Sequence, residues 1–341
     1  MQATHYISSN QQAPKYASVW HPDLPVLAVL GTSEKTPSGG SFSLYKLKET
    51  KLAQYPTNDA HAYETPAPLK CGTWSRDGST LVAGDFEGRL SFWDIASAPG
   101  TFSPAYYTAQ AHPELINTLD TCGGSSQSPG AFEVVTAGRD GFVCVWDPRQ
   151  KDKAVLTLRS KTNVKPVDCW TVRFGGNFSM HDRSIVAGYD DGHIMLFDMR
   201  NSSAVWQHKL PLGVCSIDFP SPDNHISSLI ASSLSGQLHT FSFSSSSLSS
   251  PSHLSTLSQP TRSTIWGVRH IPQNPSFFAT CNGSGFLDVY HLNDSSLKHQ
   301  FSKSISSQAL LSLDFHPSSP APLIALTSYD LSVRIVALDG L

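Results

Sequence analysis

The chain has 341 residues, 39% hydrophobic and 15% charged, with 24 basic against 27 acidic side chains and a formal net charge of -3. That balance argues against a nucleic-acid or anionic-membrane footprint, and no apolar run approaches the ~20 residues that span a bilayer. The length suits either two or three ordinary domains or one large closed β-architecture. Residues 1–10 are polar and show no signal-peptide pattern, so the Asn-x-Ser sequons at Asn177, Asn201, Asn282 and Asn293 carry no weight. The six cysteines, Cys71, Cys122, Cys144, Cys169, Cys215 and Cys281, have neither C-x-x-C nor metal-ligand spacing. They are expected as reduced core residues of a cytoplasmic protein.

Short β-rich runs punctuated by Gly, Pro, Ser and Asp follow one another, with no competing helical period. One unit recurs: a small-residue turn, an alternating apolar run, an aromatic residue and often Asp. In chain order the copies end at Tyr45 (Gly-Gly-Ser-Phe-Ser-Leu-Tyr), Trp93 (Val-Ala-Gly-Asp-Phe-Glu-Gly-Arg-Leu-Ser-Phe-Trp-Asp) and Trp146 (Thr-Ala-Gly-Arg-Asp-Gly-Phe-Val-Cys-Val-Trp-Asp). The next end at Phe197 (Val-Ala-Gly-Tyr-Asp-Asp-Gly-His-Ile-Met-Leu-Phe-Asp), Phe241, Tyr290 and Val336. They recur about every 50 residues, which suits seven four-stranded blades with loop insertions.

Each unit is predicted to open on an inner strand: 17–20, 70–74, 116–120, 169–174, 214–219, 264–270 and 310–315. Second strands precede the turn, as at 134–136 and 185–187, and third strands carry the aromatic. More polar fourth strands are predicted at 154–158, 204–209 and 297–302. After the seventh copy only 337–341 remain, so its outer strand is expected from residues 4–7, closing a ring and protecting sheet edges. The Ser-rich stretch 242–258 is expected to be a flexible surface loop of the fifth unit. A phosphorylation-regulated loop is the alternative.

These motifs resemble the WD-repeat family, which implies a single all-β, seven-bladed propeller closed by its N-terminal strand. In that family the turn Asp bonds a His ahead of the inner strand, and a Ser or Thr and the Trp complete the chain. The third blade matches residue by residue, with His112, Thr136, Asp140 and Trp146. The Asp position holds Glu87 in the second blade, Asp191 in the fourth, Ser235 in the fifth, Ser284 in the sixth and Asp330 in the seventh. The full network is therefore expected once.

Catalytic patterns are missing from the sequence. There is no G-x-x-x-x-G-K-[ST] loop, no H-E-x-x-H and no G-x-S-x-G elbow. Gly283-Ser-Gly285 reads as a blade turn, and the 14 histidines are dispersed. A non-enzymatic protein without cofactor or metal is expected, working through protein partners as a monomeric ring.

Two features exceed the repeat. Trp170 and Trp266 share one register in the inner strands of blades four and six. They read either as packing between blades or as aromatic anchors for a partner. Strand direction puts them near the Asp-Gly turns. Arg149 and Arg200, each two residues after a blade Asp, belong on the opposite face. The paired W-D-x-R box resembles that of substrate receptors docking on the cullin-4 ubiquitin-ligase adaptor; the plain alternative is an Arg bonding its own blade end.

A closer resemblance lies in Lys70-Cys-Gly-Thr, His112-Pro-Glu-Leu-Ile-Asn, Val145-Trp-Asp-Pro-Arg-Gln-Lys-Asp, Asp168-Cys-Trp-Thr-Val, Leu196-Phe-Asp-Met-Arg-Asn and Val268-Arg-His-Ile-Pro-Gln-Asn. In this order they look like the Monad-like family of WD-repeat proteins, counted among the cytoplasmic axonemal dynein assembly factors. The resemblance implies an adaptor working with a chaperone assembly of RuvB-like ATPases, a tetratricopeptide scaffold, prefoldin-like subunits and heat-shock protein 90, with dynein heavy chains as clients. A link to apoptosis is also implied. The competing expectation is a receptor of the cullin-4 ligase.

Overall fold

The computed structural model describes residues 2–48, 51–54, 63–95, 107–125, 128–150, 153–159, 166–176, 183–221, 225–244, 247–259, 263–293 and 296–340. Among them every regular element is a strand. The first, β1 (Gln2–Asn10), belongs to the last blade. Blade one follows with β2 (Lys15–Trp20), β3 (Val26–Thr32) and β4 (Gly40–Lys48), and its outer side is shared by β5 (Lys51–Gln54) and β6 (Tyr63–Thr65), which pair opposite ends of β4. Blade two is β7 (Leu69–Trp74), β8 (Thr80–Asp85), β9 (Arg89–Asp94) and β10 (Tyr107–Gln110). Blade three is β11 (Ile116–Cys122), β12 (Glu133–Gly138), β13 (Phe142–Trp146) and β14 (Leu156–Arg159). Blade four is β15 (Cys169–Gly175), β16 (Ser184–Tyr189), β17 (His193–Asp198) and β18 (Ser203–Lys209). Blade five is β19 (Val214–Asp218), β20 (Ser228–Ser233), β21 (Gln237–Ser244) and β22 (Ser247–Ser258). Blade six is β23 (Ile265–His270), β24 (Phe277–Asn282), β25 (Phe286–Asn293) and β26 (Ser296–Ser304). Blade seven is β27 (Leu310–Phe315), β28 (Leu323–Ser328) and β29 (Ser332–Asp339), completed by β1.

The ring closes as the sequence pattern predicts. β1 runs antiparallel to β29 from Gln2↔Asp339 to Asn10↔Ser332, so the last blade takes its fourth strand from the start of the chain. The seven inner strands touch cyclically, β27 against β2 included. The apolar residues divide into seven clusters, one at each junction of neighbouring blades. Both faces of a blade are therefore covered. This is why the middle strands are continuous apolar runs: β8 and β16 are buried along their whole length. At the perimeter the burden lifts, and β26 is largely exposed.

One expectation is corrected. The Ser-rich stretch is not a loop: β22 pairs with β21 from Gln237↔Ser258 to Ser244↔Ser247. An outer strand needs only a satisfied backbone on one edge and a few inward apolar groups, and Leu257 supplies one of them. Pro251 falls in a register irregularity, where an edge strand tolerates a missing N–H.

Candidate interaction surfaces

Each inner strand carries a register irregularity after its first paired residue, in all seven blades. The extra residues are Tyr16, Lys70, Asn117, Trp170, Cys215, Trp266 and Leu311. A bulge re-aims the side chain it carries. These bulges lie against the turns between second and third strands: Asp190 N–H donates to Asp168 O and Gly283 N–H to Thr264 O, both at 2.9 Å. The structure thus places Trp170 and Trp266 at the same bulge in blades four and six, on the turn face. Trp170 is half-buried and hydrogen-bonds Asp168, whose carboxyl is pushed up mainly by burial. Asn117 Nδ2 donates to that carboxylate at 2.5 Å. Trp266 is 40% exposed. Other exposed apolar residues share the face: Phe86 and Tyr329 in turns, Leu212 between blades four and five. Tyr16 lies 5.1 Å from Phe86, ring to ring.

Arg149 and Arg200 do not join them. They follow third strands and lie on the opposite face. Each closes a fork on the Asp two residues earlier: Arg149 Nη2 to Asp147 Oδ2 at 2.6 Å, Arg200 Nη2 to Asp198 Oδ2 at 2.7 Å. The same Asp accepts the backbone N–H of its Arg at 2.9 Å. These bonds hold both carboxyls below the usual carboxylate range. The Asp is buried while the guanidinium stays largely exposed.

In blade three the structure brings His112, Thr136, Asp140 and Trp146 together. Trp146 Nε1–H donates to Thr136 Oγ1 at 3.1 Å, Thr136 and His112 Nε2 are 2.8 Å apart, and His112 Nδ1 meets Asp140 Oδ1 at 2.9 Å. With its proton on Nδ1, His112 lets the donors run in one direction along the chain, from Trp146 to Asp140. The backbone admits the ring because residue 138 is Gly, where a Cβ would lie 2.4 Å from His112 Nδ1. Elsewhere the pattern is remade. In blade two the turn acceptor is Asp85, not Glu87: Asp85 Oδ1 accepts the N–H groups of Glu87 and Arg89, while Glu87 is exposed. In blade seven Ser306 takes the His place, donating to Asp330 Oδ2 at 2.8 Å. In blade six Gln259 and Asn282 donate to the fully buried Asp288.

A further set escaped the sequence reading. Four residues beyond the first residue of inner strands three to seven stand Asp120, Arg173, Asp218, Arg269 and Asp314, alternating in charge. Arg173 Nη1 reaches Asp120 Oδ1 at 3.2 Å and Nη2 reaches Asp218 Oδ1 at 3.8 Å; Arg269 Nη1 lies 4.0 Å from Asp218. Each Asp also accepts a backbone N–H of the next blade: Phe174 at 3.0 Å, His270 at 2.7 Å and Trp20 at 2.7 Å. The belt therefore staples blade three to four, five to six and seven to one. Burial works against the Asp218 charge, yet the His270 hydrogen bond and Arg269 hold its carboxyl down. Burial pushes the Asp314 carboxyl up to about 6. The signal was present as an alternating register across the predicted inner strands.

Among the described residues no group of three or more His, Cys, Asp or Glu is arranged to hold a metal ion. Burial pushes the thiols of Cys71, Cys215 and Cys281 up to about 12, which makes them poor nucleophiles. No described helix is long and apolar enough to cross a membrane.

No protein-family model matches the chain. A chain of the crystal structure of the Mitotic Checkpoint Complex superposes with a TM-score of 0.75, covering 98% of this chain and 92% of that one; at 14% identity the likeness speaks for the propeller fold alone. Among curated proteins, dynein axonemal assembly factor 10 of Xenopus laevis is 37% identical over 331 residues, 89% of this chain and 87% of that protein. Its counterpart in Homo sapiens is 35% identical over 82% of each chain, and that of Chlamydomonas reinhardtii 30% identical over 94% of this chain and 92% of its own length. With such identity along most of both lengths, the chain belongs to the dynein axonemal assembly factor 10 family.

Proposed function

We propose that this chain is a cytoplasmic, non-enzymatic adaptor in axonemal dynein assembly, which holds a chaperone assembly on its turn face and presents dynein heavy chains to it. RuvB-like ATPases, prefoldin-like subunits and heat-shock protein 90 are the partners the resemblance implies. The observation that carries the reading is the placing of Trp170 and Trp266 on equivalent bulges of a face that also exposes Phe86, Leu212 and Tyr329. Such a surface suits a protein partner better than a small substrate. The exposed part of Trp266, about 100 Å² of ring, offers about 2–3 kcal/mol on burial. Arg149 and Arg200 are already engaged by their own Asp residues, and surface ion pairs contribute little in net terms.

The test is a quantitative pull-down of RuvB-like ATPases and prefoldin-like subunits with two double variants, each first shown to melt cooperatively. Trp170→Ala with Trp266→Ala should weaken capture, and Arg149→Ala with Arg200→Ala should leave it intact. Loss of these partners only in the arginine variant would overturn the face assignment. Capture of the cullin-4 adaptor by the parent, abolished in the arginine variant, would put the ligase reading first.

A further inference from the structure

Blades two to six pass from second to third strand by one kind of turn. The N–H of the fourth turn residue donates to the C=O of the first, at 3.0–3.3 Å, and that fourth residue is Gly88, Gly141, Gly192, Gly236 or Gly285, with φ between +72° and +90°. Blade seven makes the same turn from Ser328 to Leu331, with Leu331 N–H 3.2 Å from Ser328 O. It places a leucine, at φ +62°, where the others have glycine. Glycine enters this left-handed region without steric cost, whereas the Cβ of a leucine crowds the following carbonyl oxygen. The strained conformation persists because its surroundings fix it. Leu331 O accepts Gln11 N–H at 2.7 Å, and Tyr329 N–H donates to Ala309 O at 2.9 Å. The Asp330 carboxylate accepts Ser306 Oγ–H at 2.8 Å and Arg334 Nη2–H at 2.6 Å.

The fold has no use for this leucine. Five glycine turns close without a side chain there, and Leu331 belongs to none of the seven apolar clusters. It lies half-buried on the turn face, two residues after Tyr329. The Tyr329 side chain, 64% exposed, is the most exposed large apolar group among the described residues. Trp266 stands on the neighbouring blade six. The arc between them is uncharged: of residues 263–266, 282–285, 306–311 and 328–332, Asp330 alone carries a charge, and Arg334 already pairs it. A carboxylate or ammonium group pressed against this arc would lose its water and find no counter-charge. An apolar surface would meet no such penalty.

We propose that Tyr329 and Leu331 are contact residues for the turn-face partner, that the arc from Trp266 to Leu331 receives an apolar, uncharged patch of that protein, and that the backbone strain at Leu331 is retained for this contact. The inference rests on the functional reading given above and adds to it the chemistry of the partner's surface.

Leu331→Gly tests it, because the exchange removes the side chain and relieves the backbone together. In calorimetry this variant should melt no earlier than the parent. In a titrated pull-down of RuvB-like ATPases and prefoldin-like subunits, Leu331→Gly and Tyr329→Ala should each raise the half-saturating concentration by about fivefold or more, roughly 1 kcal/mol. Leu331→Ala keeps the backbone restricted and should weaken capture as much, which separates loss of the side chain from a loosened turn. The ratio of variant to parent should hold as salt rises, since no ion pair is lost. A Leu331→Gly protein that melts clearly earlier than the parent would make Leu331 a packing residue and overturn the proposal. Parental capture by Leu331→Gly, with capture lost in Trp170→Ala, Trp266→Ala, would overturn it while leaving the functional reading in place. A ratio that collapses at high salt would overturn the uncharged patch. A parent protein that captures none of these partners would overturn the functional reading and this inference with it.

Discussion

Replacing Asp140 by Ala removes the acceptor of two donors at once: His112 Nδ1–H, shared between the two carboxylate oxygens at 2.9 and 3.1 Å, and Phe142 N–H, at 3.1 Å. The His112 side chain is wholly buried, so its Nδ1–H has no water to turn to. Such an orphan costs about 1–3 kcal/mol. The Phe142 N–H sits at a half-buried turn and adds about 1 kcal/mol. The sum is about 2–4 kcal/mol. At about 2.1 cal/mol/K per residue, unfolding 341 residues carries an entropy of about 0.7 kcal/mol/K, so the melting temperature should fall by about 3–6 °C. Calorimetry at neutral pH reads this directly. Asp140→Asn, which keeps an acceptor for both donors, should fall by less. Capture of the chaperone assembly should persist below the melting point. An Asp140→Ala protein that melts like the parent would refute the energetic argument. One that stays fully stable yet captures nothing would make Asp140 a contact residue rather than a strut.

Deleting residues 1–10 strips β29 of its partner along eight residue pairs and exposes Ile335 and Val333; the ring should melt earlier and bind a hydrophobic dye, and an unchanged melting temperature would contradict closure by β1. Gly141 holds φ at +78°, and a Cβ there would lie 2.5 Å from Val167 O; Gly141→Ala should destabilise by more than the ~1 kcal/mol of an unstrained exchange, read in urea titration. The Asp314 carboxyl, pushed up to about 6 from an ordinary 3.8 by burial, is disfavoured as the ion in the fold. Its contribution is therefore present below about pH 4 and lost as the pH rises through about 6. Asp314→Asn, which keeps an acceptor for Trp20 N–H, should flatten that decline and raise the melting temperature near pH 7. A melting temperature whose pH dependence is the same in both proteins would contradict it.

The period of the motif determined the number of blades, the order of strands within each and the place of closure. The inner strands alternate buried apolar residues with partly buried, often polar ones between recognisable turns, so 169–174 and 310–315 were readable to within a residue or two of β15 and β27. The full network of blade three was equally readable, because His112, Thr136, Asp140 and Trp146 sit at fixed offsets from one turn. Packing decided the rest. β22 is a strand because β21 offers it an edge, an influence from 240 onto 255 that serine content cannot express. Asp85 rather than Glu87 accepts the turn in blade two because the shorter side chain, one pleat earlier, reaches both N–H groups. The alternating belt from Asp120 to Asp314 acquires meaning only when five strands, each about 50 residues apart in sequence, are bent into one circle and their fifth residues become neighbours.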